Sequence, residues 1–128
     1  VGLESVDKQI DLLFNSQSLE RQSFLLVGAV ASSNDIETEI KTVNNLYKKG
    51  DLNELLSLYQ NDTTKYAPTQ QEQFELLDNR NQEWVKTIPQ LIHQKSCFIA
   101  VGALHLPGEN GLIELLKKAG YKVKPVKK

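Results

Sequence analysis

The chain has 128 residues and a formal net charge of −1. That length favours one domain with a modest core, and the balanced charge gives no basic footprint for nucleic acid. No apolar run approaches the roughly 20 residues needed to span a bilayer, and a single cysteine, Cys97, excludes an internal disulfide.

Val1 to Glu4 reads as the end of a strand carrying an acidic residue. The chain contains no methionine, so Val1 is not a natural start, and the expectation is a piece cut from a longer protein. Ser5 is placed to cap a helix with Ile10, Leu13 and Phe14 on its buried face. Asn15-Ser16-Gln17-Ser18 is a turn, and Ser18 caps a second helix with a glutamine where a capping box would put it. From Leu19 to about Lys49 there is no proline and the apolar period is helical. Ala31-Ser32-Ser33-Asn34-Asp35 is the weak point of that stretch, where a kink or break is expected. Lys48-Lys49-Gly50-Asp51 is a boundary: cations, a terminating glycine, then an N-cap aspartate. Leu52, Leu55, Leu56 and Tyr59 form the next amphipathic helix.

Residues 60–73 are polar and read as a surface loop, with a helix resuming near Thr69-Gln70. The stretch 74–94 is helical by period, with Leu77, Trp84, Ile88, Leu91 and Ile92 on one side. Pro89 should kink or divide it. Asp78-Asn79-Arg80-Asn81 interrupts the apolar stripe with hydrogen-bonding groups. His93 belongs to the surface or a helix end.

The last quarter organises the chain. Phe98-Ile99-Ala100-Val101 is an apolar run suited to a strand covered on both faces. Gly102, lacking a Cβ, would let a ligand or another backbone approach. Pro107-Gly108 signals a turn. Leu112, Leu115, Leu116 and Ala119 make one helical stripe, and Gly120 ends it. Tyr121 to Val126 alternates like a strand. Together these predict a β–loop–α–β unit, with parallel strands joined by a helical crossover. The expected fold class is therefore α/β, rich in helix: several helices on a small sheet of Val1–Glu4, Phe98–Ala103 and Tyr121–Val126. Cys97, at the head of the apolar run, reads as a small buried hydrophobe rather than a nucleophile.

In open α/β sheets ligands bind beyond the carboxyl ends of strands, which puts His105 where chemistry is expected. Glu4, Arg80-Asn81, His105 and Glu109 are the candidate functional residues. An imidazole binds a metal or moves a proton near neutral pH. A carboxylate shares the metal or orients the ring, and a guanidinium neutralises an oxyanion. Together they would suit metal-assisted hydrolysis. Each also has a plainer reading. His105 could be a hydrogen-bonded structural histidine, and Glu4 a solvated end. Arg80 could bridge Glu75, Asp78 or Glu83, and Glu109 could only complement a helix dipole.

Gly102-Ala103-Leu104-His105-Leu106-Pro107-Gly108, with Gly111-Leu112 and Gly120-Tyr121, resembles the C-terminal signature of the TraB/GumN/PrgY family, which includes the Tiki proteases. Gly2-Leu3-Glu4-Ser5 with Gln9, Gly50-Asp51-Leu52, and Arg80-Asn81 with Trp84 resemble further family segments, in the family's order. The resemblance implies an erythromycin-esterase/ChaN-like fold and metal-dependent hydrolysis of a peptide or ester bond. It implies His105 and Glu4 as metal-binding and catalytic residues, Arg80 and Asn81 as polar site residues, and manganese, cobalt or zinc as the metal. Members carry two GxxH motifs, and Gly102–His105 matches the second. Residues 1–128 are then expected to be the C-terminal part of such a domain, inactive without the N-terminal half, with the metal belonging to the full-length parent. Expected partners are that half, a peptide or small-molecule substrate, and a second copy of the chain. The resemblance also implies a cell-envelope or secreted location. The alternatives are a non-enzymatic module binding a peptide or haem-like ligand, and a structural or partner-binding domain.

Overall fold

A computed structural model describes residues 1–31 and 36–126. Residues 32–35, most of the expected weak point, lie outside the described residues. The described elements are helical and divide between two compact units, Gly2–Thr69 and Gln70–Lys128 with Val1.

In the Gly2–Thr69 unit, α1 (Val6–Ile10) runs into a π-helical turn at Asp11–Asn15. Then come α2 (Leu19–Ala31), α3 (Ile36–Lys49) and α4 (Leu52–Gln60). The caps follow the sequence. The Ser5 hydroxyl accepts from the Lys8 amide at 3.1 Å, and Ser18 from the Arg21 amide at 3.1 Å. Gln22 reaches backwards, but donates to the Phe14 and Gln17 carbonyls instead of closing a capping box. The α3–α4 corner closes on Gly50, whose φ of 72° is left-handed. There the amides of Gly50 and Asp51 return to the carbonyls of Tyr47 and Leu46, a Schellman closure. Asp51 then caps α4 through the Glu54 amide at 3.2 Å.

Burial in this unit centres on Leu55 and Gly28. The Tyr66 ring lies where a Cβ on Gly28 would stand. Phe24 packs on the same ring with centroids 4.9 Å apart, and Arg21 donates to the Ala67 carbonyl at 2.9 Å. These contacts fasten the polar loop to α2. Ile10, Leu13 and Phe14 are 47%, 60% and 64% exposed, against the expected buried face. The π-helical turn accounts for part of this. Its wider i→i+5 winding turns later side chains off a stripe drawn at 3.6 residues per turn.

In the Gln70–Lys128 unit, α5 (Gln70–Gln73) enters a second π-helical turn, Phe74–Asp78, and continues as α6 (Asn79–Ile92). Pro89 does not divide α6. A single 3₁₀ turn, Ala103–His105, precedes α7 (Leu112–Lys118). α6 packs on α7, with Trp84, Ile88 and Leu112 as its buried apolar residues. Gly120, at φ 91°, ends α7. The amides of Gly120 and Tyr121 bond to the carbonyls of Lys117 and Leu116, again a Schellman closure.

The α/β expectation is corrected: among the described residues there is no strand and no sheet. A period-2 or continuous apolar pattern shows which residues want cover, but a strand also needs a ladder partner. The Tyr121 amide is spent closing α7. At the other run, bonds from His105 to Gly102 and from Leu106 to Ala103 wind the backbone into the 3₁₀ turn. Phe98, at the head of that run, is 96% exposed. Cys97 is exposed too, its thiol donating to the Lys95 carbonyl at 3.2 Å, which overturns its reading as a buried hydrophobe.

Gly50→Ala should destabilise the protein by about 1 kcal/mol and Gly50→Asn by less. No atom stands within 4 Å of a Cβ there, so the cost is purely conformational. Urea denaturation of the two variants measures it.

A candidate functional site around His105

Asn81, Trp84 and Ile88 share the buried face of α6. Asn81 is the exception on that face, a polar side chain only 1% exposed. Its amide group is satisfied from both sides. Nδ2 donates to the Asn110 carbonyl at 2.8 Å, and Oδ1 lies 2.8 Å from His105 Nδ1. A backbone carbonyl only accepts, so it fixes which end of the amide faces the imidazole. His105 must therefore carry its proton on Nδ1 and donate it to Asn81. Nε2 is left as the acceptor, and it faces Arg80 Nη1 at 3.3 Å.

Arg80 is held by more than the imidazole. The same Nη1 donates to the Leu76 carbonyl, one turn back, at 3.1 Å. The guanidinium lies over the Trp84 ring, 4.7 Å from its centroid, a cation–π geometry. Trp84 also stacks obliquely on His105, with centroids 4.6 Å apart. Its indole Nε1 is buried without a hydrogen-bond partner among the described residues, so ring contacts hold this side chain.

The turn before α7 supplies the other wall. Gly108 takes φ 84°, and Gly111 sits where a Cβ would strike the carbonyl oxygens of Leu106 and Pro107. This tight fold presents the Asn110 carbonyl to Asn81. The Asn110 side chain in turn donates to Asp78 Oδ2 at 2.9 Å. Asn110 and Asp78 thus belong to the cluster, and sequence reasoning gave neither that role. The available signal was Asn110-Gly111 just ahead of a helix, a dipeptide typical of a tight turn.

Gly102 does not need its missing Cβ for packing within the chain. Its φ is −62°, and a Cβ would meet only His105 Cδ2, at an ordinary 3.6 Å. Glu109 is exposed, and its carbonyl accepts from Lys118 at 3.2 Å. His93 caps α6 at the surface and lies 3.1 Å from the Tyr121 hydroxyl. Glu4 belongs to the Gly2–Thr69 unit, where it accepts from the Gln9 side chain at 3.0 Å. Within the Gln70–Lys128 unit the structure brings together Arg80, Asn81 and His105, and within the Gly2–Thr69 unit it sets Glu4 beside Gln9.

The family model for the TraB/PrgY/gumN family matches residues 1–125. The chain belongs to this family. Neither the curated proteins nor the solved structures yield a match. Among the described residues no helix is long and apolar enough to cross a membrane.

The arrangement at His105 does not by itself fit a metal ion. Nδ1 is committed to Asn81, and the Nε2 lone pair faces a guanidinium, where a second cation would meet like charge. No group of three or more His, Cys, Asp or Glu among the described residues could hold a metal.

Replacing Asn81 by Ala strands the Asn110 carbonyl and the His105 Nδ1–H together, and should cost about 2–4 kcal/mol in thermal or urea unfolding. Long-range proton–nitrogen NMR should show His105 as the Nδ1–H tautomer in the unsubstituted protein. Gly111→Ala should cost about 2 kcal/mol or more through overpacking. Gly102→Ala should be neutral or stabilise by up to about 1 kcal/mol.

Proposed function

We propose that this chain supplies part of the hydrolytic centre of a TraB/PrgY/gumN protein that cleaves a peptide or ester bond. Family membership supports the class. The observation that carries the reading furthest is the Asn81–His105–Arg80 cluster, a proton-carrying ring oriented by an amide and faced by a fixed cation.

In this reading His105 moves a proton through Nε2. A base whose other nitrogen is held by an orienting group is the arrangement general-base activation requires. Asn81 holds the tautomer and ring plane. The Arg80 guanidinium stabilises negative charge that develops on the carbonyl oxygen under attack. Proton transfer at Nε2 requires Arg80 to release that lone pair, so the cation and the base work in turn. Glu4 is assigned as an acidic partner on the strength of the family segment alone. A divalent ion such as manganese, cobalt or zinc, as the resemblance implies, would act as a Lewis acid. It would need donors beyond the His105 cluster, and no step is assigned to it.

A second reading is structural: the cluster fastens α6 to the turn before α7. The burial of Asn81, at 1% exposed, and His105, at 6%, favours it.

The two readings separate on substitution. If the cluster is catalytic, His105→Gln should lower kcat/KM for ester or peptide cleavage about 100-fold or more. Arg80→Ala should lower it by about 10²–10³, and both variants should keep the helical circular dichroism of the parent. Undiminished turnover in a folded His105→Gln protein would remove the hydrolytic reading. Loss of activity only in step with loss of fold would support the structural one.

A further inference from the structure

We propose that α3 is a self-association surface that pairs with α3 of a second copy of this chain, antiparallel to it. Ile36, Ile40, Val43 and Tyr47 recur along α3 at alternating spacings of four and three, the seam of a paired helix. Of these, Ile40 is 53% exposed, Val43 47% and Tyr47 66%. α3 packs on α4, and on the rest of α3 only Leu46 is even half-buried. Ile36 is half-buried, and from Ile40 to Tyr47 the seam is left open to solvent.

Two features select a second copy, head to tail, as the occupant. The spacing reads the same in both directions. A reversed copy sets Ile36 against Tyr47 and Ile40 against Val43, so the face is self-complementary about a two-fold axis. Charge agrees with that direction. Glu37 and Glu39 occupy the first turn of α3, and Lys48 and Lys49 the last. Antiparallel pairing brings each acidic end beside a basic end, whereas parallel pairing stacks like on like. Glu37 already pairs with Lys41 at 2.6 Å along the helix, with both side chains largely exposed. The contact between copies then adds to a helix surface that is already charge-organised. Two heptads make a weak pair when the helices must also be ordered. Here the fold has already ordered them, and that cost is absent.

Sedimentation equilibrium of the protein tests the inference. A concentration-dependent dimer is expected, and Val43→Glu should weaken it by about tenfold or more without loss of helical circular dichroism. Because that variant could disturb folding, charge exchange supplies an independent arm. Glu37→Lys/Glu39→Lys and Lys48→Glu/Lys49→Glu should each dissociate, and an equimolar mixture should re-associate. The fourfold exchange of all these charges should self-associate like the parent. A strictly monomeric parent overturns the proposal, and would mean that another partner or segment covers this face. So would a dimer indifferent to both sets of changes.

Discussion

The local order of the Gln70–Lys128 unit depends on one side-chain amide. Asn81 stands on the apolar face of a helix, where an unpaired polar group costs about 1–3 kcal/mol. It escapes that cost only because a backbone carbonyl and an imidazole meet it from opposite directions. The carbonyl belongs to Asn110, which is in place only if the Pro107–Gly111 turn folds as tightly as Gly111 allows. The imidazole belongs to His105, which is in place only if the 3₁₀ turn forms. A helix, a turn and a second turn are thus fixed by the two polar atoms of one amide, Nδ2 and Oδ1 of Asn81, and displacing any one of the three elements leaves a buried group unpaired.

That dependence also gives the imidazole a definite chemistry. A histidine held by water could exchange tautomers freely. Held by Asn81, whose own orientation is set by a carbonyl, His105 is a donor at Nδ1 and an acceptor at Nε2. Arg80 then faces the acceptor, and the indole of Trp84 lies beneath the guanidinium and beside the imidazole. The same packing that stabilises α6 therefore pre-sets a cation and a lone pair at hydrogen-bonding distance. Charge fixed in advance, in surroundings where water is scarce, is the form in which electrostatics contributes most to a reaction.

Local signals in the sequence were sufficient for the helix caps and helix ends, where the physics is local. Ser5, Ser18 and Asp51 cap helices because each side chain needs only an amide three residues ahead. Gly50 and Gly120 end helices because only they take positive φ cheaply there. The run of polar residues at Asp78–Asn81 was a true anomaly: position 81 continues the spacing of Trp84 and Ile88, so a polar side chain there must find a partner inside. The identity of that partner was not legible. Asn110 lies 29 residues away, and nothing in one sequence records a pairing across that distance. The strands failed for the same reason. The runs at Phe98 and Tyr121 carry the right residues, but a strand is a relation between two segments, and neither segment reveals what it pairs with.

The π-helical turns show how a helical stripe can be right in composition and wrong in phase. At Phe74–Asp78 the Asn79 amide bonds back to the Phe74 carbonyl, five residues away. Each such widened turn inserts about one residue, or about 100° of rotation, relative to an α-helix. The side chains before it are thereby set on a different line from those after it. Asn81, Trp84 and Ile88, all beyond the widened turn, remain in register with one another and form the buried face. Arg80, one position earlier, is turned off that face, yet its side chain curls back to the Leu76 carbonyl inside the widened turn. The rephasing thus supports two adjacent residues with opposite demands, an amide that must be buried and a guanidinium held beside the imidazole by the turn behind it. In the Gly2–Thr69 unit the π-helical turn at Asp11–Asn15 carries exposed Leu13 and Phe14 instead. A widened turn therefore does not itself build a site, and what distinguishes the second is the polar pair that follows it.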